Sequence, residues 1–278
     1  MSFDIIASTG RTGTTYLAAA LDRLDGIAAT HEGYRGSNKD AVPLFPLINL
    51  ENSAAYASAN VARKTVAELR SADTIASILD SNSYVDHLID VAYYNAIIGS
   101  EILTQHPHTR MIGIIRECEG FVRSATTLEG EDLLPVGWPA PDKPLTDREK
   151  FISLGRIRPR RGSPAKGEWD NWGAIRRNIW LWEETNLRLC AAKEQFGDRV
   201  ALLRFSTFQS DPDEFLAFCA RFLTLPYDAY SPLTAPKKMI NKKPSGYQIG
   251  TADTWNPSDL AALEQAQNLI EKTAYYEL

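Results

Sequence analysis

Between Ser8 and Thr15 the chain reads Ser-Thr-Gly-Arg-Thr-Gly-Thr-Thr. Gly10 and Gly13 let the backbone turn tightly and come close to a ligand. If a strand precedes this loop and a helix follows, several N–H groups and the helix N-terminus point at one spot. That is the chemistry of an anion site. Thr14 and Thr15 bring hydroxyl donors, and Arg11 brings a fixed positive charge. A plain tight turn is the bland alternative. The loop departs from the Walker pattern, because Thr14 follows Gly13 where that pattern has lysine. It departs from the dinucleotide fingerprint too, lacking a third glycine. A second cluster follows Met111–Ile115, where Arg116 and Ser124 stand eight residues apart. A strand-end arginine and a serine on the next helix can converge on a doubly charged phosphate. Alone, Arg116 would equally pair with Glu117 or Glu119.

Taken together these residues resemble the PAPS-dependent sulfotransferases (PAPS is 3′-phosphoadenosine 5′-phosphosulfate). The family's 5′-phosphosulfate loop reads K/R-S-G-T-T, and Arg11-Thr12-Gly13-Thr14-Thr15 matches it apart from Thr12. The resemblance implies that Gly10, Arg11, Thr12, Gly13, Thr14 and Thr15 hold the phosphosulfate. Arg116 and Ser124 match the family's 3′-phosphate pair, with Cys118 where many members have proline. Weaker similarities run through Asn178, Trp182 and Asn186. Phe205 falls where a tyrosine lies near the adenine, and Ser206 and Thr207 replace the usual acidic pair. Lys242 and Lys243, with Ser245 and Gly246, match a late loop over the 3′-phosphate, although lysine-rich loops are usually just solvated.

Sulfuryl transfer needs an in-line acceptor oxygen, a base for its proton and cations for the leaving charge. Arg11 suits the leaving oxygen, and no metal is required. For the base, the resemblance offers two residues. Glu32, in His31-Glu32-Gly33-Tyr34-Arg35, matches the glutamate of tyrosylprotein and heparan-type enzymes, including an E-x-x-R pattern with Arg35. His87 resembles the histidine base of phenol and steroid enzymes, but the family's lysine two positions earlier is Val85 here. Glu32 leads. The alternatives are a surface glutamate and a structural histidine. His31 could orient Glu32 or bind substrate, whereas His106 and His108 read as loop residues.

These residues need elements to carry them. Phe3–Ser8, Ile27–His31, Ser83–His87, Met111–Ile115 and Val200–Phe205 read as buried strands. Helical spacing places Leu17, Leu21 and Leu24 on one helix, and predicts helices over 61–79, 92–105, 119–128, 171–196, 212–223 and 258–275. The last has Ser258 as its N-cap. Alternating strands and helices predict an α/β fold with a doubly wound, mainly parallel sheet and P-loop-like nucleotide-binding architecture. The whole chain, 1–278, reads as one domain. Six of its fifteen prolines lie between Pro135 and Pro164, so 135–168 reads as an insertion, basic through Arg156, Arg158, Arg160, Arg161 and Lys166. With Gly33–Ala59 it is expected to shape the acceptor pocket, through Tyr34, Phe45, Tyr56 and Trp138.

Composition bounds the partners. Thirty basic against thirty-five acidic residues leave a net charge of -5, which argues against a dedicated nucleic-acid binder. A hydrophobic fraction of 44% is ordinary for a globular chain and excludes disorder and collagen-like repeats. Cys118, Cys190 and Cys219 lack metal-ligand spacing and read as reduced core thiols. There is no leader pattern and no long apolar run, so a soluble cytoplasmic protein without membrane contact is expected. The expectation is a sulfotransferase acting on a hydroxyl of a small-molecule, sugar or peptide acceptor; a homo-oligomer is compatible. The rivals are an atypical P-loop kinase or nucleotide hydrolase, and an inactive nucleotide-binding interaction module.

Overall fold

A computed structural model describes residues 2–35, 43–48, 52–130, 156–226 and 249–278. Its six strands are β1 (Ser2–Ser8), β2 (Ile27–His31), β3 (Tyr34–Arg35), β4 (His87–Ala92), β5 (Met111–Ile115) and β6 (Val200–Arg204). They form one sheet in the order β3-β2-β4-β1-β5-β6. Only the β2–β3 pair is antiparallel; β1, β2, β4, β5 and β6 run parallel. The α/β class and mainly parallel sheet therefore stand as expected.

The helices are α1 (Thr14–Leu21), α2 (Asn52–Ala57), α3 (Ala59–Leu69), α4 (Ala72–Asp80), α5 (Asn95–Gln105) and α6 (Cys118–Gly130). They continue with α7 (Pro164–Glu168), α8 (Ala174–Phe196), α9 (Phe205–Ser210), α10 (Pro212–Phe222) and α11 (Pro257–Thr273). Strand residues alternate between two cores, as the pleat requires. Phe3, Ile5, Leu88, Met111 and Leu202 face a core with Val66, Ile102, Phe121, Trp182, Leu189 and Ile270. Ile6, Ile89, Ile112, Ile114 and Leu203 face the other, against Leu17 and Leu21 of α1 and Phe215, Leu216 and Cys219 of α10. All three cysteines are free and buried. No helix among the described residues is long and apolar enough to cross a membrane.

Several boundaries differ from expectation, two of them where polar groups are drawn inside. The helix expected over 61–79 is two, because Arg70 leaves the helical path to reach buried Asp90, and Ser71 then caps α4 by accepting from Thr74 N. The strand expected at 83–87 is His87–Ala92; Tyr84 is exposed, while Asp90 is hidden among apolar neighbours and paired with Arg70. The last helix is capped by Asn256, whose Oδ1 accepts from Asp259 N at 2.9 Å, and Ser258 merely donates to that same oxygen.

Candidate active site

In a parallel sheet, ligands bind where the carboxyl ends of the strands open and the order of strands reverses. That happens here beside β1, whose neighbours β4 and β5 arrive from opposite directions. The loop after β1 turns through left-handed backbone at Gly10 (φ 81°), Arg11 (φ 57°) and Gly13 (φ 71°). Gly13 is the N-cap of α1 and supplies no side-chain cap, so the first N–H groups of that helix are open to an anion. Ser8 Oγ ties the turn together, accepting from Gly10 N at 3.0 Å and from Thr12 Oγ1 at 2.8 Å. Thr12 is thereby buried beneath the loop as a brace, and its side chain is not among those lining the cavity. Only its backbone N–H is left to serve as a ligand.

The structure brings the two sequence clusters into contact. Arg11 Nε donates to Ser124 Oγ at 2.9 Å, and Arg116 Nη1 donates to the Arg11 carbonyl at 2.8 Å. Arg116 also pairs with Glu117 at 3.1 Å, and its guanidinium lies 5.2 Å above the Phe205 ring. Trp182 Nε1 donates to the Arg116 carbonyl and fixes the strand end. Burial pushes the Arg11 guanidinium below its usual pKa, and the facing cations Arg116 and Arg156 push it further. Arg156 is held by the Asn178 side chain at 2.9 Å. Three like charges around one loop are relieved by an anion.

Ser8–Arg11, Gly13–Thr15, His31, Glu32, Tyr93, Arg116, Ser124, Arg156 and Phe205 border one cavity of about 690 Å³. They come from the carboxyl ends of all five parallel strands and from the segment before α7. Glu32 follows β2 with φ 53° and donates its backbone N–H to Val91 O. Burial raises its carboxyl to a pKa of about 7, and the neighbouring charge of Asp90 adds to the effect. Asp90 is itself buried, accepting from Arg70, Thr30 and Tyr94. His31 Nε2 lies 3.1 and 3.2 Å from the Thr14 and Thr15 hydroxyls and 3.8 Å from Glu32. Burial lowers its pKa to about 4, so the ring is neutral near pH 7.

Several expected residues are elsewhere. His87 opens β4 opposite Ser2, at the amino end of the sheet, with Nε2 2.7 Å from Asp4 Oδ2. The strand length puts it roughly 17 Å from the carboxyl end. There it pairs with Asp4 and does not border the cavity. Arg35 turns away from Glu32 to Asp22 and the Ile27 carbonyl. Phe45 is buried under Arg70, and Tyr56 sits between Arg160 and Arg188, so neither lines the cavity. From those two segments Asn52, Arg156 and Ile157 do. Trp138, Lys242 and Lys243 lie outside the described residues. Sequence reasoning missed Tyr93, although its place just past a buried strand was the available signal. Among the described residues no group of His, Cys, Asp and Glu could hold a metal ion.

No protein-family model matches the sequence, and no curated protein matches it. Solved structures do. A sulfotransferase domain from the curacin biosynthetic pathway superposes with a TM-score of 0.52 at 15% identity, covering 100% of this chain and 98% of that one. Sulfotransferase STF1 from Mycobacterium tuberculosis H37Rv gives 0.52 at 11% identity, covering 98% of this chain and 77% of that one. The chain has a sulfotransferase fold. Within a sulfotransferase fold, the strand-end loops described above are the ones that face the cavity.

Proposed function

We propose that this chain is a PAPS-dependent sulfotransferase that sulfates a hydroxyl of a small-molecule, saccharide or peptide acceptor, working as one domain. The observation that carries the reading is the Arg11–Ser124 hydrogen bond, which joins two anion-binding clusters 113 residues apart at one cavity. The donor set fits the group: three arginines, hydroxyls and an uncapped helix N-terminus suit a ligand with several negative charges and need no metal. Arg11, Thr14, Thr15 and the backbone of 10–15 would hold the 5′-phosphosulfate. Arg116 and Ser124 would hold the 3′-phosphate, with Lys242 and Lys243, which lie outside the described residues, as further cofactor-binding residues, and Phe205 would stack on the base. PAPS supplies the sulfuryl group and leaves as 3′,5′-adenosine diphosphate.

The remaining chemistry belongs to the chain. Glu32 accepts the acceptor's proton as its oxygen bonds to sulfur, and Arg11 neutralises the leaving oxygen. Neutral His31 holds the Thr14 and Thr15 hydroxyls beside that carboxylate. The missing Walker lysine weighs against a kinase or nucleotide hydrolase. Calorimetry tests the reading. Micromolar binding of 3′,5′-adenosine diphosphate without magnesium, tighter than ATP, is expected, together with sulfate transfer from PAPS to some member of a hydroxyl panel. No binding of the 3′-phosphorylated nucleotide sinks it.

A further inference from the structure

Tyr93 carries a buried hydroxyl that the reaction described so far leaves without a task. It follows Ala92 at the carboxyl end of β4, the strand lying between β1 and β2. That position sets it between the anion loop and Glu32. A methyl group on Gly10 would come 3.8 Å from the Tyr93 Cβ, so the side chain starts beside the loop. Its ring packs edge-on against Tyr94 at 5.6 Å, and Tyr94 is fixed by hydrogen bonds to Asp90 and from Arg70. The side chain borders the cavity, yet Oη is shielded from solvent and has no hydrogen-bond partner among the described residues. The charged groups that act on it are Glu32 and Arg156.

A buried hydroxyl without a partner is costly, and such groups in native proteins call for an explanation. At a cavity wall, the explanation is a bound molecule. The anion half of the cavity already has Arg11, Arg116, Ser124 and two threonines. The remaining wall includes the apolar Ile97, Phe121, Ile157 and Leu181, with Asn52 and Thr185 as further polar groups.

We infer that Tyr93 Oη donates a hydrogen bond to the acceptor oxygen, opposite Glu32, and so orients the attacking group. This rests on the sulfotransferase reading above. The acceptor O–H points to Glu32, one lone pair accepts from Tyr93, and the other faces sulfur. The O–H proton passes to Glu32 as the new O–S bond forms. The old S–O bond breaks with its electron pair on the departing phosphate oxygen. Tyr93 keeps its own proton throughout, because burial and the nearby Glu32 hold the phenol well above its usual pKa.

The test compares wild type with Tyr93→Phe, which keeps the ring and removes only the hydroxyl. The probe is 2-naphthol, a neutral fluorescent phenol, titrated into the full-length protein loaded with 3′,5′-adenosine diphosphate. Nucleotide affinity is expected to stay within about twofold, while the 2-naphthol Kd rises about tenfold, the size of one lost hydrogen bond. The unliganded variant is expected to melt at the same temperature or higher, since it loses an unsatisfied group; a purely structural tyrosine would lower it. Unchanged 2-naphthol affinity, no 2-naphthol binding to wild type, or a variant that loses nucleotide affinity overturns the inference and leaves the sulfotransferase reading standing. If wild type binds no nucleotide, that reading fails and the inference falls with it.

Discussion

If Glu32 is the base, turnover and stability depend on pH in opposite directions. Its carboxyl titrates at about 7 in the folded chain against 4.5 for an ordinary glutamate, chiefly through burial. At pH 6 roughly one tenth of the molecules carry the active carboxylate and at pH 8 roughly nine tenths, so kcat/KM should rise about ninefold. His31 contributes nothing to that slope, because its pKa of about 4 leaves it neutral across the range. The stability sign follows from linkage. An acid whose folded pKa is raised favours folding below its unfolded pKa, and the contribution is lost as pH rises through about 7. The difference between 4.5 and 7 is worth about 3 kcal/mol. Glu32→Gln cannot ionise, so it should melt several degrees above wild type at pH 8 and equally at pH 4. The same variant should lose about 100-fold or more in turnover. Differential scanning fluorimetry and PAPS-dependent transfer to a non-ionising alcohol read both arms. A flat profile between pH 6 and 8, with full rate in Glu32→Gln, would refute the reasoning.

Other substitutions separate ligand from scaffold. Arg11→Ala should lower kcat about 100-fold or more, whereas Arg116→Ala should mainly raise the calorimetric Kd for 3′,5′-adenosine diphosphate, by about tenfold or more. His87→Ala should leave turnover within about twofold and cost about 1–3 kcal/mol in urea unfolding, because the Asp4 carboxylate loses a buried partner at 2.7 Å. Asp90→Asn leaves the fully buried Arg70 unpaired and should cost about 3–5 kcal/mol. It also removes a negative neighbour from Glu32, so the pH profile of whatever activity survives should move to lower pH.

What the sequence disclosed was local. Arg11 to Thr15 is contiguous, and Arg116 and Ser124 share one strand end and helix, so spacing alone could suggest that each bound an anion. Glu32 was legible because it directly follows an apolar run. What stayed hidden involved partners far apart in the chain. Asp90 lies within β4, later than the expected strand over 83–87, and its charge is hidden because Arg70 and Tyr94 enclose it. His87 was a second base candidate by resemblance alone, and its partner Asp4, 83 residues away, is invisible to spacing. Arg156 was concealed in a basic run in which another arginine, Arg160, stacks on Tyr56. No periodicity reports a buried phenol that lacks a partner, so Tyr93 emerged only from the packed structure.

Several locally unfavourable features meet at the cavity, although others, such as the unsatisfied Asn95 and Asn186 side chains, lie elsewhere. Of the three non-glycine residues with positive φ among those described, two are Arg11 and Glu32. Arg11 faces two other cations, Glu32 faces Asp90, and Tyr93 Oη is unsatisfied. Each costs on the order of 1 kcal/mol or more. Those at the cavity describe a surface suited to an anion and a hydroxyl. On the proposed reading, an anion would discharge the strain at Arg11, and an acceptor hydroxyl would satisfy Tyr93 and give Glu32 its proton. The acidic chain thus supports a cationic site because the elements around it absorb the cost. The apolar strands that end at the cavity hold its residues in place.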